Sequence, residues 1–127
     1  MVREVALAPD EAWRRLTAWE RHGEKVPLTR VSRTADGFVA RTGLGPIGFD
    51  DPMTIVEWDE PHRCRIVKTG SVIRGEATLT VEPIDGGSRV SWTESAAVRG
   101  VPAFADRAVA ASGKRLFGRV IDHVLAG

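Results

Sequence analysis

The chain has 127 residues, the length of one domain, and 43% of them are apolar, enough for a core that needs neither metal nor disulfide. Its 18 Lys and Arg against 17 Asp and Glu leave a formal charge of +1, which argues against a dedicated nucleic-acid binder, whose domain is strongly basic. A lone cysteine, Cys64, excludes an internal disulfide and any zinc site built on several thiolates.

The N-terminal segment reads as a short edge strand over Arg3–Leu7. Its apolar stretch is too short and interrupted for a signal peptide, and no run in the chain approaches the roughly 18 apolar residues of a membrane span. A cytoplasmic protein is the expectation. A helix is predicted from Pro9 to about Glu24. Proline suits the first helical position, Asp10 and Glu11 suit the positive end of the helix dipole, and Ala12, Trp13, Leu16 and Trp19 share one arc.

The period then changes to two. Strands are predicted over Leu28–Thr34, Phe38–Leu44, Met53–Trp58, Cys64–Thr69, Ser71–Glu82 and Ser88–Val98, separated by turn residues such as Ala35-Asp36-Gly37 and Ile84-Asp85-Gly86-Gly87. Gly43-Leu-Gly-Pro-Ile-Gly48 matches the dinucleotide pattern G-x-G-x-x-G, but no helix follows it to meet a pyrophosphate. It is read as a strand-to-strand loop, and no cofactor is expected. The last element is a long amphipathic helix over about Pro102–Leu125, with Val109, Leu116, Phe117, Val120 and Val124 on one arc. A helix with one apolar stripe and a sheet with one apolar face bury each other, so the expected architecture is α+β: an antiparallel sheet of about six to seven strands wrapped around the C-terminal helix.

Few residues offer chemistry. His22, His62 and His123 have no partners at metal-ligand spacing and are read as solvated, so no metal is expected. Cys64 is read as a small buried side chain, and no serine sits in a nucleophile elbow. Two ionisable residues break the pattern. Glu94 shares the apolar parity of Val90 and Trp92, and Lys68 shares that of Cys64 and Ile66. Each either reaches water at a strand end or is a polar handle in an apolar pocket. Gly113 interrupts the long helix at a cost of roughly 1 kcal/mol against alanine, which indicates either close packing on the sheet or a widened cavity. The candidate cavity lining is Phe38, Lys68, Leu79, Trp92, Glu94, Gly113 and Phe117; no catalytic residue is singled out.

This order of elements, with Ala8-Pro-Asp-Glu-Ala-Trp-Arg-Arg-Leu-Thr17, Trp19-Glu-Arg-His-Gly-Glu-Lys-Val-Pro27, Val56-Glu-Trp-Asp-Glu-Pro-His-Arg63, Gly75-Glu-Ala-Thr-Leu-Thr-Val-Glu-Pro83 and Gly87-Ser-Arg-Val-Ser-Trp92, resembles the SRPBCC or Bet v 1-like superfamily, also called START-like or helix-grip. Within it the chain is similar to the polyketide cyclase/dehydrase and lipid-transport group. The resemblance spans nearly the whole chain and implies one domain over residues 1–127, with one or two short helices after the first strand and a cavity for an apolar molecule. It implies no single catalytic signature, and the chain lacks the tyrosine that some of these enzymes use. Three functions stay open: binding of a hydrophobic small molecule, a polyketide cyclase or dehydratase using Glu94 and Lys68 as acid and base, and an interaction module with a collapsed cavity. Oligomeric state is not fixed by the sequence.

Overall fold

Period-two alternation becomes six consecutive antiparallel strands: β2 (Thr29–Arg33), β3 (Gly37–Leu44), β4 (Ile47–Asp59), β5 (Arg63–Thr69), β6 (Ile73–Ile84) and β7 (Gly87–Val98). The first strand, β1 (Val2–Val5), pairs with β7 and completes a seven-stranded sheet in the order β1-β7-β6-β5-β4-β3-β2. The sheet curls into a half-barrel around the C-terminal helix α2 (Asp106–Leu125), and a short helix α1 (Pro9–Leu16) follows β1. This computed structural model describes the backbone of residues 1–99 and 106–127, and the side chains of 1–99 and 114–127.

Local chemistry explains the connections. The β6–β7 hairpin turns on Asp85-Gly86, with Gly86 at φ 80°, as a two-residue turn with a glycine at positive φ requires. The Gly43–Gly48 segment closes the β3–β4 hairpin, with Leu44 paired to Ile47. A Cβ on Gly43 would lie 2.2 Å from the Ile47 carbonyl oxygen, so these glycines serve close strand approach in place of a phosphate cradle. Among the described residues no helix is long and apolar enough to cross a membrane.

Two boundaries differ most from the sequence reading. The helix expected to run from Pro9 to Glu24 stops at Leu16 and resumes as a single 3-10 turn over Trp19–Gly23. Thr17 Oγ1 donates to the Trp13 carbonyl at 2.8 Å, and Ala18 takes non-helical angles (φ −77°, ψ 73°). The bend swings Trp19 onto Phe38, with ring centroids 4.5 Å apart and planes 13° from parallel. The strand expected from Met53 begins instead at Ile47, because Phe49-Asp-Asp-Pro52 pairs with β3. The ladder to β5 starts only at Met53, one residue after Pro52, which suits proline's missing N–H.

The core lies between the concave face and the helices. Leu16 and Trp13 of α1 pack with Cys64, Leu79, Val81 and Val90 of the sheet and with Ile121, Val124 and Leu125 of α2. Val120 and Val124 are buried as their shared arc predicts, whereas Leu116 is only half-buried. The buried stripe runs through Val120, Ile121 and Val124, with half-buried Phe117 packed against the core and Leu116 on the edge. Val109 lies outside the residues whose side chains are described. Cys64 is fully buried, and burial pushes its thiol up to about 12, as suits a packing residue rather than a nucleophile.

Candidate ligand cavity

Register fixes which side chains stand together on the concave face. Cys64, Leu79 and Trp92 form one row across β5, β6 and β7, and Ile66, Ala77 and Glu94 form the next. Phe38, Met53, Lys68 and Gly75 form a third across β3 to β6. Val31, Ala40 and Asp51 form a fourth, and Thr29, Thr42 and Phe49 a fifth. From the second row onward the side chains shrink, to Ala77, Gly75, Ala40 and a pair of threonines. Gly75 sits at φ 154°, and a Cβ there would lie 2.0 Å from the Ser95 carbonyl oxygen, so the place opposite Lys68 carries no side chain.

The shrinkage leaves a partly open cavity of about 200 Å3 between the sheet and α2. Its apolar wall includes Phe38, Met53, Ile66, Trp92, Phe117 and Val120, with Ala40 and Ala77 as its small residues. Trp92 and Phe117 meet at 4.7 Å between centroids. The core has not collapsed onto itself here.

One charged cluster interrupts the apolar wall. Lys68 Nζ donates to Asp51 Oδ2 at 2.8 Å and lies 3.5 Å from Glu94 Oε1. Its further neighbour is Met53 Sδ at 3.6 Å. Lys68 and Asp51 keep only about a tenth of their side-chain surface exposed, and Glu94 about a third, so Glu94 stands nearest water. Two buried polar atoms have no partner among the described residues: Asp51 Oδ1 and Trp92 Nε1.

His22 corrects the sequence reading. It was expected in solvent, but it is buried and lines the cavity, because the chain bend after α1 turns it inward. Its Nε2–H donates to the Leu16 carbonyl at 2.7 Å, and its ring faces Trp92 and Phe117 at 6.1 and 6.2 Å. Burial holds its pKa below the usual histidine value. His62 is exposed, and His123 lies 3.5 Å from Glu24. No group of three or more potential metal ligands occurs among the described residues.

Of the candidate lining, Phe38, Lys68, Trp92, Glu94 and Phe117 surround one space. Leu79 does not line it. It is packed in the filled core beside Cys64 and Trp92, one row deeper than the cavity, and parity alone cannot distinguish depth along a strand. Gly113 belongs to α2, but its surroundings lie outside the described residues. Asp51 and His22 were missed. Asp51 was legible in one way: counting back by two from Met53, the partner of Lys68, places it on the inner face.

Residues 1–125 match the model of the polyketide cyclase/dehydrase and lipid transport family, and the chain belongs to that family. No curated protein matches it. Among solved structures, a conserved protein from Geobacillus kaustophilus superposes with a TM-score of 0.78 at 18% identity, covering 98% of this chain and 92% of that one. Ara h 8.0201 superposes at 0.68 with 12% identity, covering 100% and 96% of the two chains. A START superfamily protein from Mycobacterium smegmatis superposes at 0.68 with 12% identity, covering 99% and 94%. The fold is that of the Bet v 1/START superfamily.

Proposed function

We propose that the chain binds a compact, largely apolar small molecule in the cavity between the concave sheet and α2. The observation that carries this reading is an uncollapsed space of about 200 Å3, largely apolar, with one cluster of charged groups and a few neutral polar side chains, His22, Thr29 and Thr42. That is the usual make-up of a small-molecule site. Its size sets the class of occupant. A cavity of roughly 150 Å3 accepts benzene, and drug-sized ligands need roughly 300 Å3 or more, so a molecule of one or two rings fits and an extended lipid does not. Family membership agrees with an apolar ligand.

Filling the space tests the reading. Ala77 is buried, lines the cavity and has room in front of it. Ala77→Phe should abolish calorimetric binding of a naphthalene-sized probe while the melting temperature holds or rises. Loss of stability with binding intact would refute it.

A second reading, a cyclase or dehydratase, draws on the same cluster. Lys68 between Asp51 and Glu94 brings three ionisable groups together on the described cavity wall, as acid–base work requires. That reading requires turnover of a ketone substrate that Lys68→Met eliminates; binding with no turnover leaves the carrier reading alone.

A further inference from the structure

Building on the cavity reading, we propose that the Asp51–Lys68 pair is a receptor for a hydroxyl group on the ligand, and that Asp51 sets specificity for it.

The argument starts from unmet hydrogen bonds. Asp51 is 7% exposed, and its Oδ2 takes the Lys68 ammonium at 2.8 Å while Oδ1 has no donor among the described residues. A buried charged acceptor left bare is costly, and such atoms are normally paired. The ammonium is also under-used. Of its three N–H groups, one serves Asp51, Glu94 stands 3.5 Å away, and the remaining contact is the Met53 thioether, a weak acceptor. Among the described residues the cluster therefore has one acceptor without a donor and one poorly used donor.

Charge narrows the choice. Two carboxylates flank one ammonium, a formal surplus of −1, and no other charged group is placed on the described cavity wall. A carboxylate-headed ligand would meet repulsion from Asp51 and Glu94. An ether or ketone oxygen accepts from Nζ but gives Oδ1 nothing. An ammonium would bring its own desolvation cost into an apolar space. A hydroxyl meets both needs at once: its O–H donates to Asp51 Oδ1, and its oxygen accepts from Lys68 Nζ in place of Met53. Methionine is unbranched and flexible, so Met53, half-buried on the cavity wall, is the side chain that can swing aside to uncover the pair. The remaining ligand surface rests on the aromatic wall at Phe38, Trp92 and Phe117.

Three probes of nearly one shape decide it: 2-naphthol, 2-methoxynaphthalene and 2-naphthoate, each titrated calorimetrically into the intact chain. Naphthol should bind about tenfold tighter than the methyl ether or better, as a hydrogen bond to a charged acceptor implies, and naphthoate should bind weakest. In Asp51→Asn, with Lys68 still beside Glu94, the advantage of naphthol over the ether should shrink to about threefold or less while the ether's own affinity stays. Equal binding of naphthol and ether by the unaltered protein, or tightest binding of naphthoate, would overturn the hydroxyl assignment and leave the cavity reading intact. Binding of none of the three would overturn both. The decision rests on the unaltered chain, so it holds even where Asp51→Asn fails to fold.

Discussion

The two ends of the concave face are built from the same strands with the same alternation, yet one is full and the other hollow. At the full end, Cys64, Leu79, Val81 and Val90 meet Trp13, Leu16 and Val124, each almost wholly buried. Its polar groups are tied off. Trp13 Nε1 donates to Glu60 at 2.9 Å, Ser88 Oγ to the Leu7 carbonyl at 2.6 Å, and Arg15 Nη1 to the Leu125 carbonyl at 2.6 Å. The last bond also caps an orphan carbonyl at the end of α2. At the hollow end, alanines, a glycine and threonines leave space, and the two buried atoms without a partner among the described residues, Asp51 Oδ1 and Trp92 Nε1, belong to residues on its wall. The difference places the tightly packed core in one half of the sheet and, on the function proposed above, recognition in the other. A core maximised for stability would leave neither the void nor the unmet bonds.

The sharpest break in this contrast is a charge at the full end. Val124 has no exposed surface. Val124→Asp should abolish the cooperative melt followed by circular dichroism, because an unpaired buried charge costs several kcal/mol, a large share of a small domain's stability. A folded Val124→Asp protein would mean that this end is not the stabilising half.

The hollow end should respond differently to charge removal. Lys68→Met leaves Asp51 and Glu94 without their cation, and losing one partner of a buried pair costs about 3–5 kcal/mol. Neutralising Asp51 as well should recover part of that loss, since it removes the uncompensated buried charge. Urea unfolding of Lys68→Met and of Lys68→Met/Asp51→Asn provides the check. A double variant no more stable than the single one would show that the pair is not coupled.

Cavity formation by truncation follows in size. Leu79→Ala at the full end should cost about 2–5 kcal/mol in urea unfolding, because its neighbours are rigidly packed. Ala40→Gly at the hollow end removes a side chain that already borders open space, and should cost only about 1 kcal/mol or less, mainly through strand propensity. Equal costs would erase the contrast between the two ends.

What the sequence made legible follows the same division. Alternation in β6 and β7 and the Asp85-Gly86 turn gave the meander, because period two and turn chemistry are local properties. Parity marked Lys68 and Glu94 as the two charged residues that share the apolar face and left their direction open; both stand on the cavity wall. Parity gives the face and not the depth, so Leu79 was grouped with the cavity although it is one row too deep. Asp51 was hidden because Phe49-Asp-Asp-Pro52 looks like a loop until pairing with β3 carries it into a strand, a tertiary effect that no local propensity contains. His22 was hidden because an isolated histidine gives no local sign of burial, and the bend at Ala18 that turns it inward is not legible from helical spacing.

That bend supplies the smallest predicted effect, a pH dependence seated at the boundary between the two ends. His22 is buried, and burial is the main cause that lowers its pKa from 6.5, while its bond to the Leu16 carbonyl opposes the shift in part. The unfolded chain therefore binds more protons than the folded one in the window between the depressed value and 6.5. Stability rises with pH there. The contribution is complete above the unfolded value and is lost as pH falls through the folded one. Urea midpoints measured between about pH 7 and pH 5 should decline on acidification, and His22→Gln, which keeps a side-chain donor for Leu16 but does not titrate, should decline less. His62 and His123 remain in both proteins, so the difference between the two curves isolates His22. Parallel curves would mean that the buried ring is not kept neutral by the wall of the cavity it lines. In the folded chain that protonation sets in only as pH falls to the depressed value; there it would place a cation against Trp92 and Phe117, so probe affinity should change at that lower pH in the native chain and stay flat in His22→Gln.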